Sequence, residues 1–206
     1  KKFKINIKEE IVTSDFNITI NEIKKGQFIK QKNWEEFIAQ DDVIVVDTRN
    51  DYEFKIGHFK NAINPNIKTF KEFKKYIENE KSNLQNKKVA IYCTGGIRCE
   101  KAGPLMQKHG IDTYQLKGGI LKYFEETSAP SWDGECFVFD YRVAVNKELQ
   151  LGESQLCYGC NMPLTKEDRQ SHHYKEGFSC ADCYDQLSEK RKRSLADKRE
   201  HWKRIL

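Results

Sequence analysis

The sequence predicts an α/β fold, a parallel sheet flanked by helices, followed by a small cysteine-rich zinc-ribbon-like module and a basic helix. Three observations carry this expectation. Between Trp34 and Thr127, short β-branched runs alternate with segments of helical spacing. Four cysteines then recur as two C-x2-C pairs, Cys157/Cys160 and Cys180/Cys183. Finally, residues 187–206 hold eight Lys/Arg against three Asp/Glu, which equals the whole chain's formal excess of +5.

The elements follow in order. Phe3, Ile5 and Ile7 alternate with polar residues and predict a strand. "DVIVVD" (42–47) is a compact buried strand, and "NDYEFKIGHF" a helical turn and loop. "NAINP" is a brief extended piece stopped by Pro65, and residues 69–79 place Phe70, Phe73 and Ile77 at helical spacing. "KKVAIYC" is the next strand and "RCEKAGPLMQKHG" the next helix, with a kink or irregularity expected at Gly103-Pro104. "DTYQLKGG" is the last strand and "GILKYFEET" the closing helix. Beyond it, Phe137, Phe139 and Tyr141 alternate as in an extended segment, and Leu187, Leu195, Trp202 and Leu206 fall roughly on one stripe of the basic helix.

Composition narrows the function classes. The 206 residues are 38% hydrophobic and 33% charged, enough for a buried core under a highly charged surface. No run approaches the roughly 18 apolar residues of a membrane span, so a cytoplasmic protein with no membrane partner is expected. Seven cysteines cannot all pair within one chain, and thiols in a reducing compartment serve metals or catalysis more often than disulfides. The cationic C-terminal segment reads either as a solvated helix face or as a contact for a polyanion, RNA foremost. The chain opens without methionine and inside a strand pattern, which reads as the end of a longer N-terminal region.

The stretch "KKVAIYCTGGIRCEKAG" (87–103) is the candidate chemical site. A strand gives way to a helix at Cys93, and Thr94, Gly95, Gly96 and Ile97 form the turn. Glycines let backbone N–H groups converge, and a helix N-terminus adds partial positive charge. Such an anion cradle lowers a thiol's pKa and yields a nucleophilic thiolate. Arg98, five positions after Cys93, would add a full charge in a loop better sized for a persulfide than for a phosphate. The alternative for Cys93 is a buried structural thiol. Cys99 reads as a small core residue or as a resolving thiol for Cys93.

Here a resemblance becomes plain. "DTRNDYEFKIGHFKNAINP", "YCTGGIRCEKA" and "QLKGGILKY" resemble a rhodanese domain, which implies Cys93 as the nucleophile that carries a persulfide. Together with "CYGC" and "CADC", they resemble the oxygen-dependent tRNA uridine hydroxylases. That resemblance implies tRNA as partner, molecular oxygen as cosubstrate, 5-hydroxyuridine at the wobble position as product, and Cys93 as the active residue. It also implies a division into an N-terminal remnant and linker (1–30), a rhodanese-like domain (31–128) and a C-terminal extension (129–206) holding the four-cysteine module (157–183) and the basic helix (187–206). Two readings stay beside it: a sulfurtransferase working through a Cys93 persulfide, and a binding module without catalysis.

The remaining candidates are supporting ones. Asp47 and Arg49 lie at a predicted strand end, where open α/β folds gather ligands; an Arg49–Glu53 or Arg49–Glu100 ion pair is the expectation. His58 reads as a hydrogen bonder that fixes its loop, with catalysis as the alternative. Cys157, Cys160, Cys180 and Cys183 suit a structural zinc ion, since a module this small buries too little to fold unaided; pairwise disulfides are the competing reading. His172 and His173 read as surface residues of a polar loop. Cys136 carries little information.

Overall fold

The computed structural model describes residues 10–203. The expected strand at Phe3, Ile5 and Ile7 lies outside them, as do Leu206 and the side chain of Trp202. The chain forms two compact units. The first runs to Phe54 and resumes at His58–Asp133; the second takes Lys55–Gly57 and the chain from Gly134 onward.

The first unit holds helices α1 (Ile20–Lys24), α2 (Gln31–Ile38), α3 (Asp51–Ile56, whose last two residues count with the second unit), α4 (Phe73–Leu84), α5 (Ile97–Lys108) and α6 (Gly119–Glu126). Its strands are β1 (Gln27–Ile29), β2 (Val43–Asp47), β4 (Lys88–Tyr92) and β5 (Asp112–Leu116), arranged β1-β5-β4-β2 with every pairing parallel. β3 (Gly57–Phe59) and β6 (Trp132–Gly134) form a separate two-stranded ladder. The parallel α/β architecture expected from the alternation is therefore present. β1, from within residues 1–30, completes the sheet at its edge.

Period-two alternation along β4 sorts its side chains to two faces. Val89 and Ile91, with Cys93 just beyond the strand, join Phe73, Ile77, Ala102, Leu105 and Met106 in one buried cluster, so α4 and α5 cover that face. On the other face Tyr92 meets Phe59 and Trp132, and Phe59 also meets Trp34 and Tyr123, which places α2 and α6 there. Strands covered on both faces read as continuous apolar runs, as "VIVV" and "VAIY" do. The expected irregularity at Gly103-Pro104 is absent as a break, because α5 runs on through Pro104. Gly103 carries no Cβ to clash with the proline ring, and it packs directly on Gln115.

In the second unit β7 (Cys136–Phe137) pairs antiparallel with β8 (Ala144–Val145), and β9 (Gln155–Leu156) with β10 (Pro163–Leu164). The extended run expected over Phe137, Phe139 and Tyr141 is not formed. The chain turns after Val138, with Asp140 accepting from the Arg142 amide at 2.9 Å and Val143 at φ 65°, so Phe137 is buried while Phe139 and Tyr141 are exposed. α7 (Glu189–Lys203) is the basic helix; Leu195 is buried, and Leu187 precedes the helix and packs on the cysteine cluster.

Candidate functional site: the Cys93 loop and the four-cysteine cluster

β4 is a central strand of the sheet, and its last residue, Tyr92, delivers Cys93 to the carboxyl edge where parallel sheets place their sites. The next three residues turn the chain into α5, with Gly96 as the N-cap at φ +92°. That conformation favours glycine and aims the Gly96 amide at the Cys93 sulfur, 3.1 Å away. The amides of Arg98 and Cys99 in the first turn of α5 reach the same sulfur. The cradle is thus built from Gly96, Arg98 and Cys99. Thr94 contributes a hydroxyl that accepts from Arg98 at 3.5 Å, Gly95 faces open space, and Ile97 is half exposed at the rim.

Burial pushes the Cys93 thiol's pKa up, yet the Cys99 thiol donating to it, the Arg98 charge and the two amides bring it down to about 6. Cys99 moves the opposite way: burial and the neighbouring Cys93 thiolate drive its pKa well up, so it stays a protonated donor. Thr48 Oγ1 lies 3.5 Å from the Cys99 sulfur and donates to the Tyr92 carbonyl at 2.9 Å, tying the β2 end to the loop. Cys93 is only 2% exposed: its sulfur faces the amides of the loop while the side chain also borders the apolar cluster under α4 and α5.

Arg98 does not bring an uncompensated charge. Its guanidinium forms a two-pronged pair with Glu53 at 2.5 and 2.8 Å, both side chains buried. This overturns the expected Arg49–Glu53 pair. Arg49 instead pairs with Asp47, Nη2 to Oδ2 at 2.6 Å, with its guanidinium packed over Tyr92 and Trp132. An Arg49–Glu100 pair is not formed either, since Arg49 is wholly buried with Asp47 while Glu100 is exposed. Asp47 lies two residues from Arg49 on an extended stretch, which lets the short carboxylate reach back where Glu53, on α3, turns toward Arg98. His58 fixes its loop as expected: Nδ1 lies 3.0 Å from the Phe54 carbonyl and the ring stacks on Phe54.

The sequence pattern marks Gly118 and Gly119 only through the rhodanese resemblance, and the structure gives them a role. Both adopt positive φ, and the first amides of α6 grip the loop: Ile120 donates to the Cys93 carbonyl at 3.0 Å and Leu121 to that of Thr94 at 3.2 Å. A Cβ on Gly119 would lie 2.5 Å from the Cys93 carbonyl oxygen. The adjacent glycines before a helix were the available signal.

Residues 31–126 match the family described as the rhodanese-like domain. The chain carries a rhodanese-like domain. Solved structures similar to it include a rhodanese-related protein from Thermoplasma volcanium, 26% identical, with 48% of this chain and 92% of that chain covered and a TM-score of 0.40. A rhodanese-like domain protein from Staphylococcus aureus is 24% identical over 47% of this chain and 90% of its own, with a TM-score of 0.39. A single-domain sulfurtransferase from Saccharomyces cerevisiae is 16% identical over 52% and 94%, with a TM-score of 0.42. In this chain the rhodanese-like domain contains Cys93 and every residue that cradles it. Among the described residues no helix is long and apolar enough to cross a membrane.

The second unit gathers Cys157, Cys160, Cys180 and Cys183, their sulfurs all within 4.8 Å of one another. Cys157 lies 3.7 Å from Cys183, Cys160 3.7 Å from Cys180, and Cys180 3.8 Å from Cys183. A tetrahedral zinc–thiolate shell with bonds of about 2.3 Å sets sulfurs roughly 3.8 Å apart, whereas a disulfide needs about 2.05 Å. The donor set fits a metal such as zinc, and none of the seven cysteines is joined in a disulfide. Gly159 is required here, because a Cβ would come within 2.6 Å of the Phe178 carbonyl and 2.9 Å of the Cys183 sulfur. The rings of His172 and His173 meet at a tilt of 43° and are not part of the cluster, and Cys136 is buried in β7.

Proposed function

We propose that this protein is a tRNA-modifying oxidoreductase that hydroxylates the wobble uridine to 5-hydroxyuridine with molecular oxygen, using Cys93 as its nucleophile. The observation that carries the reading is the Cys93 thiolate, ionised near pH 6 inside a cradle of amides at a strand–helix junction. A thiolate that adds to uracil C6 makes C5 electron-rich, and oxygen adds at C5 as a hydroperoxide. A two-electron donor such as a pair of thiols reduces this to the hydroxyl and water, and loss of the C5 proton then expels the Cys93 thiolate and restores the ring. The four-cysteine cluster and the basic helix α7 support an RNA substrate, since a cationic helix on a metal-knit module suits a phosphate backbone. The sequence motifs shared with the hydroxylases support the reaction class. Asp47 and Arg49 hold the strand end, Arg98 and Glu53 hold the loop, and Cys99 holds the Cys93 charge.

The test is the nucleoside profile of tRNA from cells in which the gene is deleted, complemented by wild type or by Cys93→Ser. Loss of 5-hydroxyuridine that only the wild type restores is expected; full restoration by Cys93→Ser removes the nucleophile from the reaction. A second reading, sulfur transfer through a Cys93 persulfide, is favoured by the short loop, in which a single sulfur-sized anion meets the Gly96 amide. It predicts thiosulfate–cyanide sulfurtransferase activity and loss of thiolated bases instead.

A further inference from the structure

The second unit carries a groove of about 820 Å³ that none of the Cys93 chemistry uses. Its walls include Tyr141, Leu151 and Tyr158 together with Arg142, Lys166 and Arg169. Large apolar side chains normally turn inward, yet here Tyr141 is fully exposed, Leu151 69% and Tyr158 62% exposed.

The cations differ in how far they are spoken for. Arg142 pairs with Asp140 and Lys166 with Glu153, the one carboxylate lining the groove. Arg169 makes no ion pair among the described residues; its guanidinium donates to the carbonyls of Glu153 at 3.0 Å and Thr165 at 3.4 Å. Positive charge also continues outward from Tyr158. Arg191, in the first turn of α7, donates to the carbonyls of Tyr158 and Gly159 at 2.8 and 3.3 Å, so the basic helix starts on the cysteine knuckle that displays this tyrosine.

We infer that the groove between Tyr141 and Tyr158 binds unpaired nucleotides of RNA, with bases stacked on the tyrosine rings and phosphates facing Arg169 and the start of α7. Exposed aromatic faces interleaved with cations are what a single strand requires: each base offers a π-face, and stacking tolerates sequence. A duplex hides those faces. A peptide or protein partner would account for the apolar walls but not for the cationic helix joined to them. The inference rests on the RNA reading of the preceding subsection and adds where the strand is held.

The experiment titrates the full zinc-loaded chain against fluorescein-labelled oligouridine and against a duplex RNA of equal length. Preference for the single strand is expected. Tyr141→Ala and Tyr158→Ala should each weaken it by roughly tenfold, with Tyr→Trp retaining it. Arg169→Gln should lower the slope of log K against log salt by about 0.7, one phosphate's share on a single strand. Zinc content of each variant reports folding, and Tyr141 is free of the knuckle altogether. Duplex bound as well as single strand, no RNA binding at all, or affinity unmoved in both tyrosine variants would overturn the inference. Its failure is separable from that of the proposed reaction: tyrosine-dependent binding with an unchanged tRNA profile removes only the hydroxylation, whereas a changed profile with indifferent tyrosines removes only the groove.

Discussion

The two units of this chain hold sulfur in opposite ways. Around Cys93 one sulfur is surrounded by donors that come from a pre-built scaffold: the end of β4, the first turn of α5, and the amides of α6 that hold the loop from behind. Around Cys157, Cys160, Cys180 and Cys183 the sulfurs make up most of the buried centre: among the described residues Leu164 alone joins them as a fully buried apolar side chain, with Tyr174 and Leu187 partly buried against them. The first sulfur sits in a ready-made cradle of donors, whereas the other four are spaced to hold a metal such as zinc. Burial alone does not separate the cases, since Cys93 and Cys157 are equally hidden at 2% exposure. What separates them is whether the surrounding fold stands without the sulfur.

The largest effect that would break this comparison is metal removal. Structural zinc in small modules contributes on the order of 10 kcal/mol or more. A chelator, or Cys180→Ser, should abolish bound zinc and unfold the four-cysteine module, while Cys93 alkylation keeps its rate. Zinc content and alkylation by mass spectrometry check this; loss of both together would mean that the scaffolds are not independent. Next in size is the buried ion pair. Arg98→Gln leaves the Glu53 carboxylate buried without its partner and should cost about 3–5 kcal/mol of stability, read by denaturant unfolding. It also removes a positive charge beside Cys93, so the thiol's pKa should rise.

A smaller effect contrasts two glycines of the same loop system. Gly119→Ala puts a Cβ 2.5 Å from the Cys93 carbonyl at a φ of +70° and should destabilise by about 2 kcal/mol. Gly95→Ala meets nothing within 4 Å and should be nearly silent. Equal melting temperatures for the two would show that α6 does not clamp the loop.

The smallest effect sharpens the chemistry. The rate of Cys93 alkylation by iodoacetamide should rise through about pH 6 and level off near neutrality, because the thiolate is the reacting form and predominates above its pKa. Cys99→Ala removes a donor to the charged sulfur and should move that midpoint up by about one unit. A wild-type midpoint near that of a free cysteine would contradict the cradle.

Much of this was legible in local sequence. The alternation of buried strands and helices, the positions of Phe70, Phe73 and Ile77, the strand–Cys93–glycine–helix junction and the paired C-x2-C spacing all depend on neighbours within a few residues, where periodicity and turn chemistry act. His58, too, found its partner four residues away. The extended reading of Phe137, Phe139 and Tyr141 failed because an Asp140-capped turn outweighed alternation over so short a run.

What the chain's order of residues determined by itself was where sulfur would sit and which backbone would turn around it, since glycine freedom and strand periodicity are local properties. The fold alone decided which charges would face each other. Arg98 took Glu53 across 45 positions, which left Arg49 to its near neighbour Asp47, and Gly119 came to rest on the Cys93 carbonyl, because the long-range pairings depend on how strand ends and helix starts converge. Coulomb attraction acts through space, and a linear sequence states no distances through space.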